Sequence, residues 1–396
     1  MGVDLAAIRS AAGKIGQHIH ATPLVHSNSF SRMAGADVWI KAENLQKTGS
    51  FKVRGAFNRL MDCEGRQVIA ASMGNHAQGV AYAARQLGMT ARIVMPSTAP
   101  LVKQEATRSY GADLVLAGES FSEALASALA EKDFFFVHAF DDEKIIAGQG
   151  TVGLEICGSL DRIDAVLVPV GGGGLISGIA AAVRDLSPKT EVIGVQSSAA
   201  VSATLSLREN RIVESVPAGT IADGIAVGRV GELTFSMISR LVDDMITVDE
   251  DAIAMAVLLF LERKKLVVEG AGAVPLAALL SQADRFRGRR VVLVASGGNI
   301  DFTLVDRIIH KGLVSSGRIG VFSVTVNDVP GMLHRLSGIV SGLHGNIHTI
   351  LHDRLGQDLS IGETRVVFTV ETKGKDHLNE IVHAVAREGF SVKKLP

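Results

Sequence analysis

From Leu5 to about Lys311, short apolar runs alternate with longer stretches whose apolar residues recur at helical spacing. That alternation is the pattern of a parallel sheet covered by helices. The runs Gln67–Ala71, Ala91–Met95, Asp113–Leu116, Ala165–Val170, Glu191–Gln196 and Arg290–Ala295 are predicted strands, mostly apolar or β-branched and mostly closed by glycine, proline or serine. The stretches Ala77–Leu87, Phe121–Glu131, Leu175–Leu186, Asp249–Lys264 and Gly272–Leu280 are predicted helices. Asp249 has no Glu or Gln three residues later, so a simple side-chain cap is expected there rather than a capping box.

The pattern changes near Lys311–Gly317, a small glycine- and serine-containing stretch suited to a linker. Beyond it, Val321–Val326 reads as a strand, Met332–Leu343 as a helix, Ile347–His352 and Arg365–Glu371 as strands, and Leu378–Arg387 as a helix. A βαββα(β) order closes as a small antiparallel sheet with both helices on one face. The expected division is therefore 1–314 and 320–396, with no repeat linking the two.

At 396 residues two domains are the natural expectation, and 47% hydrophobic content with only 5% aromatic fits a tightly packed α/β protein. Forty basic and 41 acidic residues leave a formal charge of −1, with no basic stripe for nucleic acid and no cationic amphipathic helix for a membrane surface. The longest unbroken apolar run, Ala252–Leu261, is too short to cross a bilayer. Cys63 and Cys157 stand alone without a CxxC, so neither a disulfide framework nor a zinc module is expected. Met1–Ile15 lacks a secretory pattern, and a cytoplasmic location is expected.

Four segments carry chemistry. Lys52 lies in Gly49-Ser50-Phe51-Lys52-Val53-Arg54-Gly55-Ala56. Most lysines are solvated surface groups, but this one has a glycine–serine approach and Phe51 beside it to wall a ring. Arg54 reads as a salt-bridging or surface group. Asn75 lies in Ser72-Met73-Gly74-Asn75-His76, between a strand and a helix, where backbone N–H groups converge on carboxylates or phosphates. Taken alone, Asn75 and His76 are ordinary turn residues. Gly171–Gly174 closes a strand and opens a helix at Leu175, removing every Cβ that would keep an anion from the backbone. A dinucleotide turn fits this run only with Ser177 in the third glycine slot, and no phosphate-binding GxxxxGK[ST] exists. Ser296, in Ser296-Gly297-Gly298-Asn299, follows a strand at its carboxyl end, where doubly wound sheets bind ligands. By itself Ser296 reads as a cap. Together, an amine for an imine, an amide, an anion loop and a hydroxyl are the grips that pyridoxal phosphate (PLP) requires.

Two other constellations read as structural. His344, His348 and His352 recur every four residues, but Gly345-Asn346 interrupts a helix, so no metal site is expected. Asp243-Asp244 and Asp141-Asp142-Glu143 read as solvated turn acids.

These segments resemble the fold-type II PLP enzymes, specifically the threonine dehydratase (threonine ammonia-lyase) family with its serine dehydratase and serine racemase relatives. The likeness runs from about Ile8 to Ile309 and includes Lys41-Ala42-Glu43-Asn44-Leu45, Gly219-Thr220-Ile221-Ala222-Asp223-Gly224 and Glu269-Gly270-Ala271-Gly272-Ala273. It implies a two-part α/β catalytic unit like the β-subunit of tryptophan synthase, with a small subdomain at about 45–145 inserted in it. It also implies that Lys52 forms the imine and acts as base, that Phe51 lies along the cofactor ring and that Asn75 holds the ring oxygen. Gly171, Gly172, Gly173, Gly174 and Leu175 would hold the phosphate, and Ser296 would meet the pyridine nitrogen. Ser72, Met73, Gly74, Asn75 and His76 would take the substrate carboxylate. The implied reaction converts L-threonine to 2-oxobutanoate and ammonia, with serine as a side substrate and the cofactor phosphate protonating the departing hydroxyl. Alternatives are dehydration of another 3-hydroxy amino acid, such as 3-hydroxyaspartate, serine racemisation, and an amino-acid sensor that has lost chemistry.

The tail resembles an ACT domain, through Asn327-Asp328-Val329-Pro330-Gly331-Met332-Leu333, Gly345-Asn346-Ile347 and a strand ending in Val370-Glu371-Thr372. ACT domains of this kind imply pairing between subunits of a homodimer or homotetramer. They also imply an amino-acid effector such as isoleucine or valine, at Asp328, Pro330, Gly331, Met332 and Leu333 with Asn346 of a paired copy. A single copy is similar to the medium-length or catabolic-type enzymes. Two departures matter. Racemases of the family carry serine where this chain has Met73, and metal-stimulated members carry acids where it has Gln196 and Ser202, so no divalent metal is expected.

Overall fold

Each of the six strands expected before residue 300 forms with ends within one residue of those expected in the computed structural model, which describes residues 2–395. The strands are β1 (Leu24–His26), β2 (Asp37–Ala42), β3 (Gln67–Ala71), β4 (Thr90–Met95), β5 (Asp113–Leu116), β6 (Phe135–Phe136), β7 (Ala165–Pro169), β8 (Glu191–Ser197), β9 (Asp244–Val248) and β10 (Arg290–Ala295). They build two sheets, in keeping with the two-part catalytic unit that the resemblance implied. The larger has the order β1-β2-β10-β7-β8-β9 and is parallel except for β1. The smaller has the order β5-β4-β3-β6 and is wholly parallel. Strand β7 is buried at every position, as a central parallel strand covered on both faces must be, which is why it reads as an unbroken apolar run.

The chain divides into two compact units at Asp301/Phe302. The stretch expected to be a linker is instead the end of a helix, Phe302–Ser315, which belongs with the C-terminal unit. Val305, Ile308 and Gly312 fall on one buried face of that helix. It stops at Gly317, whose φ of +69° suits glycine after a helix end.

In the C-terminal unit, β11 (Ile319–Asn327), β12 (Asn346–Asp353), β13 (Glu363–Glu371) and β14 (Ser391–Leu395) pair antiparallel in the order β12-β13-β11-β14. With the helices Met332–Gly342 and Lys375–Arg387 this is a complete ferredoxin-like βαββαβ module. Its own core is centred on Phe322 and Phe368, stacked at 5.3 Å, with Leu336, Val340, Ile381 and Val385 from the helices.

Asp243, Asp244 and Glu143 are exposed, as expected of solvated acids, but the aspartates are also partnered. Asp141 accepts from Glu232 N and Thr234 N and so caps the Glu232–Leu241 helix. Asp142 caps the Glu143–Ser159 helix and pairs with Arg59. Asp243 accepts from Val192 N and pairs with Arg184, and Asp244 pairs with Arg285. For Asp141 the unpaired N–H groups come from a helix start remote in sequence, which draws the carboxylate in. Among the described residues no helix is long and apolar enough to cross a membrane.

Candidate active site

The carboxyl ends of β3, β7 and β10 lead into the asparagine loop, the glycine loop and the serine loop. The lysine motif is tied directly to the last of these. Phe51 N donates to Ser296 O at 3.1 Å and Gly298 N to Gly49 O at 2.9 Å, and Ser50 bridges Gly297. Gly49 has φ +70°, and a Cβ there would fall 2.4 Å from Asn299 Oδ1, so only glycine permits this turn. The helix Lys52–Leu60 starts immediately after it.

Lys52 Nζ is enclosed by the protein and donates to Ala139 O at 2.9 Å. Burial pulls the amine down to about 8, against the opposing charge of Glu269. An amine with one backbone acceptor and a depressed basicity is suited to nucleophilic and base chemistry near neutral pH. The Phe51 ring centroid lies 5.3 Å from Nζ.

Asn75 opens the Asn75–Gln86 helix. The main-chain N–H groups of Met73, Asn75 and His76 donate to no acceptor among the described residues, whereas Gly74 N donates to Ser72 Oγ. The Asn75 amide is held at both ends, Nδ2 donating to Glu269 Oε1 at 2.7 Å and Oδ1 accepting from Asn299 Nδ2 at 2.8 Å. The His76 ring turns away from this loop, its Nε2 lying 3.0 Å from Val137 O in the core. Burial, followed by Lys52, lowers it to about 3, so it is a neutral structural histidine.

At the glycine loop, Gly171, Gly172 and Gly173 donate no hydrogen bond to the described residues and precede the helix Gly174–Leu186. Phe140 packs so closely that a Cβ on Gly172 would lie 2.3 Å from its ring, and Gly173 has φ +96°. Unpaired N–H groups at a helix start, with no side chain in the way, form an anion cradle. The Ser296 side chain is 2% exposed and its hydroxyl makes no hydrogen bond to the described residues.

These features fit PLP group by group: a buried amine, a clamped amide, an open anion cradle and an uncommitted hydroxyl. The buried Ser50 hydroxyl, also without a partner among the described residues, adds a further polar atom facing this junction.

Residues 15–297 match the family described as pyridoxal-phosphate dependent enzyme. The chain belongs to that family. PLP is accordingly the cofactor of this enzyme. An L-threonine ammonia-lyase of Thermotoga maritima is 45% identical to it over 400 residues, covering 99% of each chain. A solved T.th. threonine deaminase superposes with a TM-score of 0.73 at 43% identity, covering 76% of this chain and 99% of its own. A maize serine racemase superposes with a TM-score of 0.74 at 33% identity, covering 80% and 99%.

Four participants escaped the sequence reading. Glu269 stood in a recognised segment without a role, although a lone acid in the apolar stretch Leu266–Leu280 was a signal. Ala139 and Phe140, which touch Lys52 and the glycine loop, had none, since a carbonyl and a packing ring leave no mark in a pattern. Asn299 was quoted only as the end of a motif. Burial, then Asp223, pushes the Glu269 carboxyl up to about 8, against the pull of Asn75, Lys103 and Lys52, so near neutrality it is largely a neutral acid.

In the C-terminal unit, Asp328 pairs with Arg354 and Gly331, at φ +89°, starts the helix beginning at Met332. Asn346 is not near them. It pairs with Glu371 opposite Ile319, whereas Asn327 lies at the other end of β11, eight residues or roughly 26 Å away.

Proposed function

We propose that this PLP enzyme is an L-threonine ammonia-lyase, converting L-threonine to 2-oxobutanoate and ammonia, with L-serine as a lesser substrate. The observation that carries the reading is the weakly basic Lys52 amine, held against Ala139 O in a motif whose backbone is hydrogen-bonded to the Ser296 loop. Likeness along the whole chain to an enzyme named for threonine supports the substrate choice.

When bound, PLP supplies an electron-withdrawing ring that acidifies the substrate's Cα–H. The chain's residues then have separate tasks. The unpaired amides at Met73, Asn75 and His76 take the substrate carboxylate and fix its Cα. Lys52 Nζ, unprotonated above about pH 8, removes the α-proton. The β-hydroxyl leaves as water, taking up one proton to match the one removed from Cα, and water re-enters when the released enamine product hydrolyses, so the net change is threonine to 2-oxobutanoate plus ammonia. Ser296 would offer the pyridine nitrogen a hydroxyl rather than a carboxylate, which would leave that nitrogen largely unprotonated. That suits departure of a β-substituent over a long-lived carbanion.

Steady-state kinetics with 3-hydroxy amino acids test this. L-Threonine is expected to give the highest kcat/KM, with 2-oxobutanoate and ammonia in equal amounts; no 2-oxo acid from threonine or serine would overturn the reading. Met73 places a thioether where racemisation needs a proton donor on the opposite face of Cα. Negligible D-serine is expected from the wild type, and a measurable rise in Met73→Ser, by chiral chromatography. D-Serine matching pyruvate in the wild type would refute this.

Residues 302–396 are assigned a regulatory role, because every cofactor grip precedes them. An amino-acid effector would sit at Asp328–Leu333, and because Asn346 lies at the far end of its own sheet, only a paired copy's Asn346 could close that site. Coupling of about 1–3 kcal/mol corresponds to a shift of roughly 5- to 150-fold in substrate affinity. Ending the chain after Asp301 is expected to keep lyase activity and abolish the response to isoleucine or valine. A folded truncated enzyme that still responds would move the regulatory site into the catalytic unit.

A further inference from the structure

The reactive groups named so far would touch the cofactor or substrate directly, whereas Glu269 is placed to act through one of them. An asparagine amide can rotate by 180° and exchange its oxygen and nitrogen at little cost in shape, so something must decide which end faces a ligand. Here the decision is made by two neighbours of opposite hydrogen-bonding character. Glu269 Oε1 accepts one proton of Asn75 Nδ2, which accounts for one of its two N–H groups. Asn299 Nδ2 donates to Asn75 Oδ1, a bond only the oxygen end can receive. The second N–H of Asn75 has no acceptor among the described residues.

Both neighbours are fixed. Glu269 is 4% exposed, and its N–H donates to Gly297 O at 3.0 Å. A Cβ on Gly297 would fall 2.4 Å from Glu269 Oε1, so the serine loop leaves the space this carboxyl occupies. Asn299 Nδ2 also reaches Thr48 O at 2.8 Å and Gln78 Oε1 at 3.3 Å, which joins the lysine motif, the serine loop and the asparagine helix.

We propose that Glu269 and Asn299 are positioning residues that clamp the Asn75 amide in one orientation, with its remaining N–H directed to the ring oxygen of bound PLP. The proposal rests on the PLP assignment and concerns residues to which the motifs gave no role. The charged groups facing Glu269 are Lys52, Asp223 and Lys103. With its carboxyl mainly neutral near pH 7, Glu269 donates an acceptor oxygen without adding a full negative charge beside the ring oxygen. Glutamine reproduces that acceptor and alanine does not.

The experiment is a double-mutant cycle on purified holoenzyme, read by the visible absorbance of the bound cofactor and by its dissociation constant. Glu269→Gln is expected to keep the band position, with a dissociation constant within about twofold of wild type. Glu269→Ala is expected to shift the band and weaken cofactor binding roughly three- to tenfold, the range of one lost hydrogen bond. In an Asn75→Ala background, Glu269→Ala should then change neither readout, because the group it acts through is gone. Losses that add independently would overturn the clamp, as would a Glu269→Ala holoenzyme indistinguishable from wild type. Should Glu269→Ala not fold, Asn299→Ala releases the other end of the same amide and must show the same coupling to Asn75. A wild type without a borohydride-sensitive visible band would overturn the PLP chemistry itself, which separates that failure from failure of the clamp.

Discussion

Lys52→Ala is expected to lower ammonia release from L-threonine by more than about 10⁴-fold, because in the proposed mechanism one amine would both hold the cofactor and serve as base, so two functions would vanish together. The fold is expected to survive. Burial already disfavours the charged amine, and its single hydrogen bond goes to the Ala139 carbonyl. The check is a coupled ammonia assay beside a thermal melt. Turnover within tenfold of wild type, in a sample melting normally, would remove Lys52 from the mechanism. Cofactor retained through the glycine loop would not, since the cradle is independent of the amine.

Arg54→Ala is expected to cause the largest loss of stability of any single change considered. The guanidinium is fully buried. It donates to Glu43 Oε2 and Oε1, both at 2.8 Å, to Glu155 Oε1 at 2.6 Å and Oε2 at 2.9 Å, and to Thr151 Oγ1 at 3.0 Å. Lys41, 1% exposed, joins the cluster through Glu155 and through Thr22 O at 2.6 Å. Burial works against ionisation of Glu43, yet Arg54 and Lys41 together hold its carboxyl below the ordinary value. Removing Arg54 leaves Glu43 buried with Lys41 4.0 Å away as its closest remaining cation, and breaking such a cluster costs about 3–5 kcal/mol. Urea unfolding of the catalytic unit should show a midpoint lowered accordingly, and a loss below about 1 kcal/mol would contradict this account. Since Glu43 is depressed in the folded state, its contribution is present above its unfolded pKa and fades as pH falls through the folded value. The Arg54→Ala defect should therefore shrink in acid.

Arg54 also shows where a one-dimensional reading stops. As one of forty basic residues it read as a surface or salt-bridging group, and the salt-bridging half was right. Its burial depends on Glu155 and Thr151, about a hundred residues away on another helix. The same distance hid β2, Asp37–Ala42, whose Lys41 breaks an apolar pattern unless carboxylates from elsewhere accompany it. Asp141 read as solvated for the same reason, because the Glu232–Leu241 helix start that it caps lies about ninety residues downstream.

What the sequence determined by itself is whatever is written in local periodicity and local chemistry. Period-2 and apolar runs placed the strands, glycines marked the tight turns, and four short motifs named the cofactor and the amine proposed to carry it. The βαββαβ tail was legible because each of its elements is short, regular and bounded by turn residues. Tertiary structure alone decided the relations between segments. It extended the supposed linker into the Phe302–Ser315 helix and separated Asn346 from Asp328. It also set Glu269 against Asn75. The physical reason is common to all of these: propensity and patterning act between neighbours a few residues apart, while burial of charge, hydrogen-bond pairing and loss of basicity depend on groups that only folding brings within about 4 Å of one another.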